Sequence, residues 1–514
     1  MNRADLRGAH AACLRVIEID PRHADAHFLL GMVALASGNV AKAHELVARA
    51  IGLDGGRADY HAQLARCLAL LSRHEEARVA VASALELGAR DALTLDTIGV
   101  ALSRLGDHER AAAAFEAAVA LAPRNAGFQY NLAASLRFLG RFAAAEEAYE
   151  AALAADPSFH RAHSALAELR RQSRQNNHIR RLTGALARVG VDVDAELHVR
   201  YALAKEHEDI GDYAAAFAHL TAGKAKKRRA LGYTGAEDRA LFAQIRAAFD
   251  AARLAGPEEA GDPSEAPIFV IGMPRTGTTL VERILSSHSA VATVGESQNF
   301  ALCVKRAAGT ASSRVLDEAT LAAAFAADRG ALGRRYLEST RPTEPPAQRF
   351  VDKMPLNFFY VGFIHGALPN AKIVCLRRNP LDTCLSNFRQ LFALDFSYYD
   401  YAYDLSDIGR YYVLFDELMR HWHAVLPGRI LDVEYERLVT RQEPETRRLL
   451  EFCGLPFEQA CLRFQENPAP VATASAVQVR EPLNAASIGR WRRYARELEP
   501  LRAELVAAGV HLAP

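Results

Sequence analysis

Apolar and small residues recur along the first half of the chain at a fixed step of 34 residues. A leucine or isoleucine followed by a small residue stands at Leu30-Gly31, Leu64-Ala65, Ile98-Gly99, Leu132-Ala133 and Leu166-Ala167. A turn position reads Gly38, Ser72, Gly106 and Gly140, an alanine column reads Ala43, Ala77, Ala111 and Ala145, and a boundary column reads Pro21, Gly55, Ala89, Pro123 and Pro157. Small residues let paired helices approach closely, glycine permits a tight turn, and proline after a helix end prevents its continuation. No single repeat of this kind buries its own apolar face, so the pattern predicts neighbours stacked into a solenoid. The second half has a different pattern. Short apolar runs near 267–272, 291–295, 349–352, 371–377 and 430–435 predict strands of a mostly parallel sheet flanked by helices.

The 34-residue pattern resembles the tetratricopeptide repeat, a pair of antiparallel helices. Residues 22–157 hold four full repeats, and residues 4–20 read as the second helix of an earlier one, as if the solenoid began half-built or the start codon were chosen late. After Ala167 the register slips at the polar stretch 170–177, and a further repeat-like unit follows with Leu203-Ala204, Gly211 and Ala216. Its last helix ends in Lys224, Lys226, Lys227, Arg228 and Arg229, which reads as a solvated helix end or as a docking patch for an acidic partner. The Gly/Pro/Glu composition around 255–263 marks a linker. The expected division is therefore an all-α repeat domain over 1–254, a linker over 255–266 and an α/β, P-loop-like domain over 267–514.

Composition narrows the class. The 514 residues carry 62 basic and 61 acidic side chains, a net charge of +1, which removes any argument for nucleic-acid binding from bulk charge. No run approaches the roughly 20 apolar residues of a membrane span. Met1-Asn2-Arg3-Ala4-Asp5-Leu6 does not open a secretory signal. The seven cysteines are scattered and form no CxxC pair, which speaks against a disulfide framework and against a zinc site. A cytoplasmic protein with reduced thiols and no metal is expected.

The chemistry lies in the second half. A buried strand, Pro267–Gly272, runs into Met273-Pro274-Arg275-Thr276-Gly277-Thr278-Thr279-Leu280 and then an amphipathic helix. A strand, a tight loop and a helix start form an anion site, since backbone N–H groups and the helix dipole converge there. The spacing Gly272…Gly277 matches a phosphate loop, but the lysine that follows the second glycine in nucleoside triphosphatases is Thr278 here.

The run PRTGTTL resembles the 5′-phosphosulfate loop of sulfotransferases, which use 3′-phosphoadenosine 5′-phosphosulfate as donor. That resemblance implies contacts from Arg275, Thr276, Gly277, Thr278 and Thr279. A second motif agrees. The family's strand-end arginine and a serine eight residues later, which bind the donor's 3′-phosphate, match Arg378 and Ser386. Leu431–Glu436 is similar to the family's strand with a tyrosine near the nucleotide, here Tyr435. The stretch from Ser475 to Asn484, with Ser487 and Arg490-Trp491 beyond it, resembles the donor-covering segment of the tyrosylprotein branch. It departs from that branch at Glu481, where lysine is usual, with Arg480 one place earlier. Within the same branch an arginine in the first loop, a downstream lysine and a glutamate base correspond to Arg275, Lys353 and Glu296. His288 competes with Glu296 as the base, with a capping or packing role as its plainer reading.

The resemblance covers about residues 267–495 and implies a sulfotransferase whose repeats recruit a protein or peptide acceptor or a partner. Tyrosine, a sugar hydroxyl and a lipid-linked saccharide are all open as acceptors. The aromatic run Phe396–Tyr403 reads as an acceptor-cleft border or as a packed segment. Two other readings stand beside the leading one. One is a repeat scaffold with an inactive nucleotide domain; the other is a P-loop kinase, against which the missing lysine counts.

Overall fold

The computed structural model describes residues 5–71, 73–250, 254, 261–312, 314–342, 347–394, 397–469 and 478–512. The chain forms two compact units, the first running to Arg170 and also taking in Ala469, the second beginning at Arg171.

In the first unit, helices Ala24–Ala36 and Val40–Leu53, Ala58–Leu70 and His74–Glu86, Ala92–Arg104 and His108–Leu121, and Ala126–Phe138 and Phe142–Ala155 pair as hairpins. Leu6–Ile19 precedes them and His160–Glu168 follows. Gly38, Gly106 and Gly140 turn the chain at φ of 80°, 80° and 78°, a left-handed conformation that glycine adopts without strain; Ser72 lies outside the described residues. The small-residue column has a steric cause. A Cβ on Gly99 would lie 2.5 Å from the Phe115 ring. Ala43, Ala65, Ala77, Ala111, Ala133 and Ala145 are wholly buried, so the helices approach closely around the larger buried side chains Tyr60, Phe115 and Tyr149.

The second unit is built on five parallel strands in the order β2-β3-β1-β4-β5: β1 Pro267–Gly272, β2 Val291–Gly295, β3 Arg349–Asp352, β4 Lys372–Arg377 and β5 Ile430–Glu434. These bounds fall within one residue of the expected ones. The central strand shows why. In β1, Ile268 and Val270 join one hydrophobic cluster with Val281, Ile284 and Val374, while Phe269 and Ile271 join the other with Phe300, Tyr336 and Phe350. A strand with both faces covered reads as an unbroken apolar run.

The boundary between the units differs from the expected linker. Helices Ile179–Leu186, Val193–Asp209, Tyr213–Leu231 and Ala236–Ala248 belong to the second unit. Their aromatic residues explain it. Phe242 and Phe249 lie in the same cluster as Phe269, and Phe249 packs against Phe363 at 4.9 Å and Trp422 at 5.3 Å between ring centroids. A buried phenylalanine contributes about 1.5–3 kcal/mol, so the Gly/Pro/Glu composition punctuates the chain without separating two folding units. Residues 255–260 of the expected linker lie outside the described residues.

Most of the cationic run on Tyr213–Leu231 is engaged in ion pairs or buried, and Arg229 is its exposed member. Lys226 pairs with Glu196 and Lys227 with Asp194, both at 2.6 Å, and Arg228 pairs with Asp407. Lys224 is buried outright and donates to the carbonyls of Gln390 (3.0 Å) and Ala402 (2.7 Å). No helix among the described residues is long and apolar enough to cross a membrane.

Candidate active site

Each of the five strands delivers a residue singled out in the sequence at its carboxyl end. The loop 273–277 follows β1, Glu296 follows β2, Lys353 follows β3, Arg378 follows β4 and Tyr435 follows β5. Ligands of such sheets bind beyond those ends.

The loop is fixed by its own bonds and by close approaches. Thr276 Oγ1 donates to Met273 O at 2.7 Å, and Leu280 N donates to Gly277 O at 2.9 Å to begin helix Thr278–Ser286. Thr276, Thr278 and Thr279 are buried at this helix start. Gly272 and Gly277 have φ of 145° and 109°; a Cβ on Gly277 would come within 2.6 Å of the Tyr435 ring. Arg275 is the one non-glycine residue among those described with a positive φ, 66°. That backbone strain, invisible in sequence, marks the loop as a constrained site.

Arg378 reaches back to the loop. Its Nη1 donates to Arg275 O at 3.2 Å, its Nη2 donates to Ser487 O, and its guanidinium lies 4.6 Å over the Tyr435 ring. Its Nε is buried without a hydrogen-bond partner among the described residues. The Tyr435 hydroxyl and Ser487 Oγ are 2.6 Å apart. Ser386 sits half-buried on the following helix, Pro380–Arg389, which Asn379 caps through Leu381 N and Asp382 N. The next residue, Asn387, belongs to no motif in the sequence. It donates to Pro274 O at 2.8 Å and so locks this helix to the first loop.

Glu296 and Lys353 meet. Lys353 Nζ donates to Glu296 Oε1 at 2.5 Å and lies 3.5 Å from Glu282 Oε2. Lys353 is wholly buried, whereas the Glu296 side chain is 42% exposed, so the carboxylate forms the open side of the pair. Burial works against the Lys353 charge, but Glu296 and Glu282 outweigh it and hold the ammonium pKa above its ordinary value. Glu282 is held in turn by the Thr293 hydroxyl at 2.7 Å. It was not legible as a site residue: a single acid on a helix carries no motif. Beside this cluster Asp352 is pushed up to about 7 by burial, with the Tyr336 hydroxyl donating to it at 2.8 Å.

Two other sequence candidates are engaged elsewhere. His288 accepts from Ala290 N through Nδ1 at 3.0 Å, so its Nε2 carries the proton that is donated to Pro456 O at 3.0 Å. That is a packing role. Arg490, expected at the nucleotide, donates through Nε to Glu208 Oε1 at 2.9 Å. Ser475 and Phe396 lie outside the described residues. The rest of the aromatic run is largely packed: Tyr401 stacks on Tyr411 at 3.8 Å and donates to Asn387, and Tyr399 stacks on Phe392 at 4.4 Å. Among the described residues, no cluster of histidine, cysteine and acidic side chains suited to a metal is found.

Residues 267–459 match the sulfotransferase family, and residues 12–45, 33–92, 97–158 and 130–187 match tetratricopeptide repeats. The chain is 35% identical over 314 residues to an uncharacterised protein of Aquifex aeolicus (strain VF5), a match covering 59% of this chain and 40% of that protein. It is 25% identical over 246 residues to the protein-tyrosine sulfotransferase of Drosophila melanogaster, covering 44% of this chain and 46% of that protein. The chain thus spans less than half the length of both relatives. A solved sulfotransferase domain, from the Synechococcus PCC 7002 olefin synthase, is 19% identical with a TM-score of 0.34, over 45% of this chain and 88% of that domain.

Proposed function

Given that the chain carries a sulfotransferase-family domain together with tetratricopeptide repeats, we propose that it moves a sulfuryl group from 3′-phosphoadenosine 5′-phosphosulfate to a hydroxyl acceptor. The observation that carries this reading is Arg378. One end of its guanidinium is tied to the 5′ loop at Arg275 O, while its buried Nε has no partner among the described residues. A buried donor left unbonded costs about 1–3 kcal/mol, so the position suits an anion placed next to the loop. The Gly277 cradle, which a Cβ would close against Tyr435, leaves the backbone accessible to a phosphate.

The donor supplies the activated sulfuryl group; the rest falls to this chain's own residues. The loop amides with Thr276, Thr278 and Thr279 hold the 5′-phosphate at a helix start. Arg378 and Ser386 hold the 3′-phosphate, and Tyr435 borders the nucleotide. Arg275 and Lys353 offset charge on the leaving oxygen. Glu296, on the open side of its ion pair, takes the acceptor's proton, a step a tyrosine needs because its pKa is about 10. The repeats recruit the acceptor or a partner. A protein tyrosine is the acceptor that the name of the Drosophila relative suggests, and the setting is cytoplasmic. No metal takes part.

Calorimetric titration with 3′,5′-bisphosphoadenosine and with 5′-adenylate tests the assignment. Arg378→Ala removes a charge-assisted bond of roughly 1.5–3 kcal/mol, so the bisphosphate should bind about 10- to 150-fold more weakly and the adenylate nearly as before. Equal weakening of both nucleotides would place Arg378 elsewhere.

A further inference from the structure

Glu208 lies on helix Val193–Asp209, outside the segment that matches the sulfotransferase family. It is a buried carboxylate held between two guanidiniums: Arg389 Nε donates to its Oε2 at 2.7 Å, and Arg490 Nε donates to its Oε1 at 2.9 Å. Burial opposes its ionisation, but the two arginines overcome that and keep its pKa below the usual carboxylate range.

The two arginines belong to different parts of the donor site. Arg389 ends the helix that begins two residues after Arg378, and Arg490 belongs to the segment that resembles a donor cover. That segment is fastened to the same helix a second time, through Asp382, which accepts from Gly489 N at 2.7 Å and Trp491 N at 2.9 Å. Two residues before Gly489, Ser487 meets both Arg378 and the Tyr435 hydroxyl. A continuous set of polar contacts therefore runs from Glu208 through Arg490 and residues 487–491 to Arg378.

We infer that Glu208 is a positioning residue for the 3′-phosphate end of the donor site, holding residues 487–491 against Arg378 so that the guanidinium is aimed before the nucleotide arrives. The inference rests on the proposed role of Arg378. Its physical basis is charge compensation. Without Glu208, two adjacent half-buried cations repel each other. The irregular segment 487–491, rather than the regular helix Pro380–Arg389, is the element able to yield. Once Ser487 O is withdrawn, Arg378 regains rotamer freedom, and that freedom must be given up again on binding. This assignment also explains why Val193–Asp209 belongs to the catalytic unit although its sequence reads as another repeat. A direct role for Arg490 on the nucleotide makes the opposite prediction, since Glu208 would then neutralise a ligand and its removal would tighten binding.

The test uses the full chain and titrates 3′,5′-bisphosphoadenosine and 5′-adenylate against wild type and Glu208→Gln. The bisphosphate should bind about tenfold more weakly and the adenylate should change by less than about twofold, a split that general loosening of the fold would not produce. Amide exchange at Gly489 and Trp491 should accelerate in the same variant. If Glu208→Gln does not fold, Glu208→Asp keeps the charge but is too short to reach both guanidiniums, and it should show a smaller loss with the same selectivity. Unchanged or tighter bisphosphate binding, or equal weakening of both nucleotides, overturns the inference. A wild-type protein that binds neither nucleotide overturns the donor reading itself, and the inference falls with it.

Discussion

Glu296 Oε1 and Lys353 Nζ share an ion pair at 2.5 Å, and the register of the sheet puts them there. Gly295 of β2 stands opposite Asp352 of β3, so the next residue on each strand steps out of the sheet beside its neighbour. The proposed base and one proposed cation are thus mutually oriented before any substrate binds. Glu282 joins them from the loop helix, so one ammonium faces two carboxylates. Such a cluster can surrender Glu296 to an acceptor and still leave Lys353 paired. It cannot lose Lys353 without leaving two acids uncompensated.

The first prediction follows from that asymmetry. Removing Lys353 strands the buried Glu282 carboxylate, and an uncompensated buried charge costs about 3–5 kcal/mol, so Lys353→Met should lower the melting temperature of the second unit clearly. Lys353→Met combined with Glu282→Gln removes one of the stranded acids and should recover part of that loss. Turnover should not recover, because the cation assigned to the leaving oxygen is still missing. Thermal melts and single-turnover rates on the same samples separate the two effects. A double variant that melts no higher than Lys353→Met would mean that Glu282 is not part of the cluster's charge balance.

Glu296→Gln keeps the shape and removes the basicity. A positioned base typically contributes about 10²–10⁴-fold to the rate, so turnover should drop by about that factor while bisphosphate affinity stays near wild type. His288 offers no substitute, because both of its ring nitrogens are engaged in packing contacts. Retention of more than about a tenth of wild-type turnover, with chemistry shown to be limiting, would remove Glu296 from the role.

How far the sequence alone reveals this site depends on whether a feature is local. The strands were legible because both faces of β1 are covered, which writes a continuous apolar run. The loop and Arg378 were legible because their residues are contiguous in motifs. The Glu296–Lys353 pair was not, because register is a property of two strands 57 residues apart in sequence. Arg490 was placed at the nucleotide by its motif, whereas its partner Glu208 lies 282 residues away on another helix. The unit boundary was missed for a related reason. Phe242 and Phe249 sit in an alanine-rich helical context and gain their meaning only from distant partners, Phe359 and Tyr411 for the first and Phe363 and Trp422 for the second.

That boundary gives a third prediction. A protein spanning residues 171–514 should fold cooperatively and bind 3′,5′-bisphosphoadenosine like the full chain. One spanning 262–514 loses Phe242, Ile245 and Phe249, together with Lys224 and Glu208, and uncovers the apolar face they bury. It should bind the dye ANS, aggregate or show no cooperative melt. A well-folded 262–514 protein with full bisphosphate affinity would restore the Gly/Pro/Glu stretch as a true domain boundary.

The last prediction concerns Lys224, which sequence placed at a solvated helix end. It continues the buried stripe of Ala216 and Leu220 at helical spacing, and that was the available signal. Its Nζ touches the carbonyls of Gln390 and Ala402 and lies 5.4 Å and 5.3 Å from the Phe388 and Tyr403 ring centroids. Burial pushes its pKa down to about 7, against about 10.4 in an unfolded chain. Between those values the unfolded chain holds a proton that the folded one lacks, so raising the pH favours the folded state. The stabilising contribution is complete above the unfolded value and is lost as pH falls through about 7. Lys224→Met cannot titrate. The stability gap between wild type and Lys224→Met should therefore widen in favour of wild type by up to roughly 1.4 kcal/mol per pH unit from pH 7 upward. Urea unfolding of the 171–514 protein and its Lys224→Met variant at pH 7, 8 and 9 measures that gap. A gap that stays flat across the series would mean that Lys224 keeps its proton throughout, with the two carbonyls and two rings together solvating the full charge.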